Sequence, residues 1–396
     1  MKLAKSFIVS IAFMCSFTIA TKAYANNNNL PTDRLTPELL WSMGRIGSTV
    51  LSPDKTNILY TVTTYNISEN RGYSAIYILN SETKETKKLT VNTSKSESDA
   101  NFIENGRKIV FLSADDNGTN QLWMMNTDGS NRKCISSEKT DVNGYLFSPD
   151  EKNVVLIHDV PTETSIIKND DDLPKATGMV INELMYKHWD RYVRSVPHPF
   201  IANFDGSQIT NACDILDGQP YESPMCPFGG IEEFAWSPDS KSLAYVMRKK
   251  TGRDYAISTD SDIFLYNLET GKTKNLCKPE NYKAPVVNAT SSLKHQIQYN
   301  ENEDYNLGYD DKPKFSPNGK YIAWTSMKHD GYESDRTRLC VYEFSTGSKT
   351  YVTETFDSGV NDFVWDDNSK ELYFSGVWHG KTNLYKTNFK GEVSKI

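Results

Sequence analysis

The stretch Phe234–Val246, FAWSPDSKSLAYV, holds two short apolar runs, Phe234-Ala235-Trp236 and Leu243-Ala244-Tyr245-Val246, around Ser237-Pro238-Asp239-Ser240-Lys241-Ser242. Pro238 presets φ for the first inner position of a tight turn, and the Asp239 side chain can bond its own backbone, so the segment reads as strand, turn, strand. Neither run alternates cleanly with polar residues. A strand that is apolar on both faces is buried on both.

The covering material is more of the same unit. The motif recurs at 50–62 (VLSPDKTNILYTV), 101–113 (NFIENGRKIVFLS), 145–157 (YLFSPDEKNVVLI), 314–326 (KFSPNGKYIAWTS) and 363–375 (FVWDDNSKELYFS). Each copy is followed by a second strand pair with its own polar hairpin, such as Asn126-Thr127-Asp128-Gly129, Glu269-Thr270-Gly271 or Ser345-Thr346-Gly347. The text therefore divides into six four-stranded units at about 46–92, 99–137, 143–216, 231–278, 311–354 and 360–396. A four-stranded unit repeated every 40 to 50 residues or so is the signature of β-propeller blades, which stack face to face. The fold class is all-β, a β-propeller; a sandwich or closed barrel does not call for one unit six times. The longer spacings are insertions, Asp159–Pro199 in the third unit and Lys278–Lys312 before the fifth. Ahead of the repeats, Thr36-Pro37-Glu38 supplies an N-cap, a first-turn proline and an acidic residue for a short helix that stops near Gly44.

Residues 1–25 carry Lys2 and Lys5, an apolar run Phe7–Ala20 and the small-x-small pattern Ala23-Tyr24-Ala25, the anatomy of a signal peptide cleaved after Ala25. The chain is expected to be exported, to the periplasm or outside the cell. Removing the leader takes away three lysines and no acidic residue, so the charge moves from 44 − 51 = −7 to 41 − 51 = −10. That balance argues against nucleic acid or an anionic membrane surface as a partner. Five cysteines remain (Cys134, Cys213, Cys226, Cys277, Cys340), with no CxxC and no zinc spacing. Cys213 and Cys226 are the nearest pair and could bridge; buried thiols in strands are the other reading.

Hydrolase signatures are missing. No G-x-S-x-G occurs, the six histidines form no HExxH, there is no phosphate-binding glycine loop, and Asp170-Asp171-Asp172 lacks the alternating spacing of a calcium loop. The expectation is no catalytic residue, no metal and no cofactor within the chain. Two stretches differ from ordinary connectors: Tyr186-Lys187-His188-Trp189-Asp190-Arg191-Tyr192 in the third-unit insertion, and Ser326–Arg336 between the second and third strands of the fifth unit. Long loops dense in aromatic and charged residues are often functional. Trp189, Asp190, Tyr192, Tyr332 and Arg336 are the candidates to face a substrate or a second domain.

The leading TPELLWSMGRIG, the YKHWDRYV insertion followed by PHPF, and GYDDKPKFSPNGKYIAWTSMKHDGYESDRTRL together resemble the N-terminal propeller of prolyl-oligopeptidase-like serine peptidases, of the dipeptidyl-peptidase 5 type. The resemblance covers residues 35–396. It implies a seven-bladed propeller that caps an α/β-hydrolase domain, admits only short peptides, and serves a Ser-His-Asp mechanism that releases dipeptides. The sequence ends at Ile396, ahead of the expected seventh blade and the hydrolase domain, so no triad residue carries over. The pair Glu232-Glu233 lacks the motif that surrounds the amine-anchoring glutamates of dipeptidyl-peptidase IV relatives and is read as unrelated to them. The partner implied is a peptide substrate, met through the missing hydrolase domain; the oligomeric state is left open. The alternative is an exported, non-enzymatic TolB-like propeller that binds a protein.

Overall fold

The computed structural model describes residues 34–90, 95–162, 175, 177–178, 187–188, 191–282 and 306–396. The proposed signal peptide lies outside them. The short helix α1, Pro37–Ser42, forms where the sequence places it, with the Thr36 hydroxyl accepting the Leu39 N–H at 3.2 Å.

Six four-stranded antiparallel sheets follow, each with its strands hydrogen-bonded in chain order. Blade one is Arg45–Leu51, Asn57–Asn66, Arg71–Asn80 and Thr86–Lys88; blade two is Glu97–Ile103, Lys108–Ala114, Asn120–Asn126 and Lys133–Cys134. Blade three is Gly144–Phe147, Asn153–Pro161, Ser195–Phe204 and Ile209–Asp214; blade four is Phe234–Trp236, Ser242–Met247, Asp262–Asn267 and Lys272–Asn275. Blade five is Asp310–Phe315, Tyr321–Ser326, Arg338–Glu343 and Lys349–Tyr351, and blade six is Val360–Trp365, Glu371–Trp378, Lys381–Asn388 and Ser394–Lys395. This is the β-propeller architecture. The chain divides into two compact units, one up to Gly144 together with Asn203–Asn211, the other Tyr145–Ala202 with Ala212–Ile396.

Several first strands begin a residue or two before the repeat does, at Arg45, Glu97 and Asp310. The cause is a β-bulge that the repeat does not spell out: the register shifts between Ile46 and Thr49, Ser98 and Asn101, Asp311 and Lys314, and Val360 and Asp362. A bulge adds a residue on one strand only, and so separates the motif from the true start of pairing.

Blade-on-blade burial explains the two-faced strands. In blade four, Leu243, Tyr245 and Met247 pack with Val155 and Ile157 of blade three. The alternate residues Ala244 and Val246 pack with Ile322 and Trp324 of blade five. Ala323 then turns the other way, toward Phe363 and Phe374 of blade six. Within the first unit, Leu59 and Ile76 of blade one meet Ile109 and Phe111 of blade two.

The Ser-Pro-Asp turns share one bonding pattern. The Ser237 hydroxyl donates to Asp239 Oδ1 at 2.6 Å and accepts the Ser242 N–H at 2.9 Å, while Asp239 Oδ1 also accepts the Lys241 N–H at 3.1 Å. Ser148 and Asp150 repeat it, and Ser316 with Asn318 repeats it with an amide in place of the carboxylate. In blade six Asp366 stands at the serine position and accepts the Lys370 and Glu371 N–H groups itself. The residue after the Asp or Asn position takes a left-handed conformation: Lys55, Glu151, Ser240 and Gly319 have φ of 64°, 56°, 61° and 69°. That residue also reaches the preceding blade. Ser240 Oγ accepts the Asp150 N–H at 3.1 Å, and Ser369 Oγ accepts the Asn318 N–H at 3.1 Å. Where the position is glycine, a proline closes over it: a Cβ on Gly106 would stand 3.3 Å from Pro53 Cδ, and one on Gly319 would stand 3.9 Å from Pro238 Cδ.

Ser237→Ala removes two bonds of one such turn, and Ser240→Ala removes the link to the previous blade. Each is expected to lower unfolding stability by about 1 kcal/mol, checked as a shift of the urea midpoint at unchanged slope.

Candidate interaction face and its buried polar support

Each blade has two ends. At one lie the tight turns joining strands one to two and three to four; at the other lie the links from strand two to three and from each blade to the next. Among the described residues, every exposed large apolar side chain belongs to the second end. In the first unit these are Leu35, Leu40, Trp41 and Met43 ahead of blade one, Ile46 at its first strand, and Tyr65 and Ile67 where strand two turns into strand three. In the second unit they are Phe228 and Ile231 before blade four, Ile257 and Tyr332 on strand two-to-three links, Val377 and Trp378 at the end of strand two of blade six, and Ile396 after the last strand. The tight turns are built mainly of Ser, Thr, Pro, Asp, Asn, Gly, Lys and Glu. A shallow cleft of about 470 Å³ between blades four and five does open at the tight-turn end, over Leu265, Phe315 and Phe344. The polar side chains at its edge, Ser237, Asp239 and Asn318, are committed to turn bonds.

Of the five candidate residues, Trp189 and Asp190 lie outside the described residues. Tyr192 sits in a two-residue ladder, Lys187–His188 against Arg191–Tyr192, with Lys187 paired to Tyr192. The insertion thus carries a small hairpin of its own. Tyr332 and Arg336 share the strand two-to-three link of blade five. Tyr332 is 46 % exposed and sets its ring edge-on to His329, centroids 6.0 Å apart. Arg336 has structural work: it donates to the carbonyls of Glu354 and Phe356 at 3.0 and 2.9 Å and pairs with Glu354 Oε1 at 3.2 Å.

This link is held from two directions. Asp330 Oδ1 accepts the Ser258 hydroxyl and the Thr259 N–H of blade four at 2.7 and 2.8 Å. Asp335 Oδ2 accepts the N–H groups of Lys328 and His329, both at 2.9 Å, and stands 2.8 Å from His329 Nδ1. Burial works against the Asp335 charge, yet the Arg336 N–H on its Oδ1 at 2.8 Å, the His329 N–H and the His329 ring hold its carboxyl below the ordinary range. Exposed Tyr332 is therefore presented from an ordered base.

Beneath the same end, between blades four and five, lies a buried polar network assembled from separate stretches. Lys278 Nζ contacts Asp260 Oδ1 at 2.5 Å and both oxygens of Asp262 at 2.7 and 2.8 Å; Lys250 reaches Asp260 at 3.1 Å. Burial opposes the Lys278 charge, but Asp262 and Asp260 outweigh it and hold the ammonium above its ordinary pKa. Asp262, Cys277 and Asp310 place their donor atoms within 4.8 Å of one another, all buried, a set that could ligate a metal. The cation there is already supplied by Lys278, and the Cys277 sulfur accepts the Ile263 N–H at 3.2 Å. The trio reads as structure. Asp310 accepts the Trp324 indole N–H at 3.0 Å, and burial pushes its carboxyl up to about 7.

Glu233 is buried before blade four and accepts the Met225 N–H at 2.8 Å. Burial first, then Asp311, Glu232 and Glu222, drive its carboxyl well above the ordinary range. The bond to Met225 pins the connection that presents exposed Phe228, a supporting role. Among the described residues no disulfide forms; Cys213 is exposed and Cys277 and Cys340 are buried.

Residues 48–164 match the dipeptidyl peptidase IV (DPP IV) N-terminal region. The dipeptidyl-peptidase 5 of Porphyromonas gingivalis is 40 % identical over 365 residues, covering 92 % of this chain and 49 % of that protein. This is a propeller region homologous to dipeptidyl-peptidase 5. The chain spans about half the length of the curated relatives it matches, 49 % and 53 % for the two Porphyromonas proteins. Solved structures support the fold. The acylaminoacyl peptidase of Pyrococcus horikoshii aligns over 90 % of this chain and 46 % of its own with a TM-score of 0.55 and 16 % identity. The β-propeller domain of the trilobed protease from Pyrococcus furiosus aligns over 89 % and 84 % with a TM-score of 0.51 and 12 % identity.

Asp310 supplies a pH test. Its folded pKa of about 7 lies above the unfolded value, so the native state holds the extra proton and stability falls as pH rises from about 4 to 7. Asp310→Asn is expected to flatten that slope, measured as urea midpoints of both proteins at pH 4.5 and 7.5; equal slopes would count against it.

Proposed function

We propose that the chain is the propeller portion of an exported dipeptidyl-peptidase-like serine peptidase acting on short peptides. Its role is to gate the substrate rather than to cleave it. The observation that carries this reading is the 40 % identity running through 92 % of the chain while filling only 49 % of the relative. The sequence contains no G-x-S-x-G, so the nucleophile belongs to the other half. The end that carries the long links and the exposed apolar side chains is the one suited to face a catalytic domain. Tyr332 and Arg336 stand on a link of that end, Tyr332 exposed and Arg336 as the anchor of its loop; Trp189, Asp190 and Tyr192 belong by sequence to the insertion of the third unit and are proposed with them. The leader anatomy of residues 1–25 supports export.

A purified 26–396 chain is expected to show no hydrolysis of dipeptidyl-arylamides. The same chain followed by the half of the P. gingivalis relative beyond the match is expected to turn them over. Turnover by 26–396 alone, abolished by one serine substitution within it, would overturn the reading. Expressed with its leader in a bacterial host, the protein should appear in the periplasm with Asn26 as its first residue; retention of residues 1–25 counts against export.

A further inference from the structure

Arg248 directly follows strand two of blade four and is only 5 % exposed. A guanidinium keeps its proton inside a protein, so a full charge is buried with it. Such a cation is ordinarily matched by a carboxylate, because leaving it unmatched is strongly destabilising. Arg248 has no match of that kind. Its Nη1 donates to the Ser258 carbonyl at 2.6 Å, and its Nε, buried as well, has no acceptor. The Tyr255 ring, on the short helix α2 (Gly252–Ile257), lies 4.0 Å from Cζ and offsets part of the cost through its face.

The carboxylates of the adjoining network are committed elsewhere: Asp260 to Lys250 and Lys278, Asp262 to Lys278, and Asp330 to Ser258 and Thr259. Among the described residues no carboxylate forms an ion pair with Arg248. The guanidinium is also held still, since Ser258, which takes Nη1, is itself fixed by Asp330 and accepts the Asp260 N–H on its Oγ at 3.1 Å. With Nη1 occupied, the edge carrying Nε and Nη2 is the one that a carboxylate can meet with two parallel bonds. The Tyr309 side chain is partly exposed, and its hydroxyl is near enough for the Arg248 charge to pull its pKa down against the stronger upward push of burial.

We propose that Nε and Nη2 of Arg248, with the Tyr309 hydroxyl beside them, bind a carboxylate group of a short peptide, its C-terminal carboxylate or an acidic side chain. The choice of a peptide rests on the functional reading above; the carboxylate chemistry does not. A singly charged group fits this site better than a phosphate. The second cation that a dianion calls for would have to come from Lys250 or Lys278, and both are held by Asp260 and Asp262.

Calorimetric titration of the purified 26–396 chain at constant ionic strength tests this with trialanine, trialanine amide and the amide of the tripeptide alanyl-glutamyl-alanine. At least one of the two carboxylate-bearing peptides is expected to bind about tenfold or more tightly than trialanine amide. Preference for trialanine names the C-terminus as the source, and preference for the glutamyl peptide names the side chain. Arg248→Lys keeps the charge but loses the planar edge, and should weaken that binding about tenfold or more. Lys249→Ala, at the exposed neighbouring cation, should leave it unchanged. If Arg248→Lys does not fold, Tyr309→Phe is expected to weaken binding severalfold, and the comparison of acid with amide on the unaltered chain still decides. Equal binding of all three peptides, or binding of none, overturns the proposal. So does a loss in Lys249→Ala as large as that in Arg248→Lys, or inorganic phosphate that binds as tightly as the better peptide. If the carboxylate is bound while the chain joined to the P. gingivalis half leaves dipeptidyl-arylamides intact, the site stands and the functional reading falls; turnover without preference for a carboxylate means the reverse.

Discussion

Strand two of blade four must be covered on both sides, and most of the architecture follows from that. Leu243, Tyr245 and Met247 point to one neighbour, while Ala244 and Val246 point to the other. A strand with this composition cannot lie in a sheet that has a wet face. The solution is another sheet on each side, and the same demand is passed on through Ile322, Ala323 and Trp324 of blade five. On the blade-five side the small Ala244 shares a core with the large Trp324, and such combinations of small with large residues let neighbouring sheets close to packing distance.

The tight turns convert that stacking into a defined register. One serine hydroxyl closes its own turn twice, and the left-handed residue two positions after the proline touches the preceding blade, by a hydroxyl at Ser240 and Ser369 or against a proline ring at Gly106 and Gly319. A serine at a positive φ costs some backbone strain; the bonds to Asp150 and Asn318 offset it. Because these turns are tied to their neighbours, that end has little freedom to vary. The opposite end, with links of any length, is free to carry insertions, Phe228, Tyr332 and α1.

Legibility differed between these parts for physical reasons. The six units, their strand order and the helix after Thr36 could be read because each rests on local chemistry repeated along the chain. The bulges before Asn101 and Lys314 could not, since the extra residue is defined only against a partner strand. Among the site candidates, Tyr332 is exposed, whereas Arg336 is occupied by the carbonyls of Glu354 and Phe356, residues too far along the chain for spacing to announce. The surface around Trp41 and Tyr65 was missed because an apolar residue near a strand or helix is ordinarily taken for core. The available hint was apolar residues crowding the links, as in Leu35, Leu40 and Met43 ahead of the first repeat.

The sequence by itself determined the repeat, the two-faced strands, the turn chemistry and the likeness to prolyl-oligopeptidase-like propellers, because these depend on neighbours in the chain. Only the tertiary structure decided that Lys278 settles between Asp260 and Asp262, that Asp310 is buried beside Cys277, and that, among the described residues of each unit, the exposed apolar side chains lie at the link-bearing ends of their blades. Burial and exposure are properties of what surrounds a side chain after folding, and for these residues the surroundings come from stretches that the sequence sets far apart.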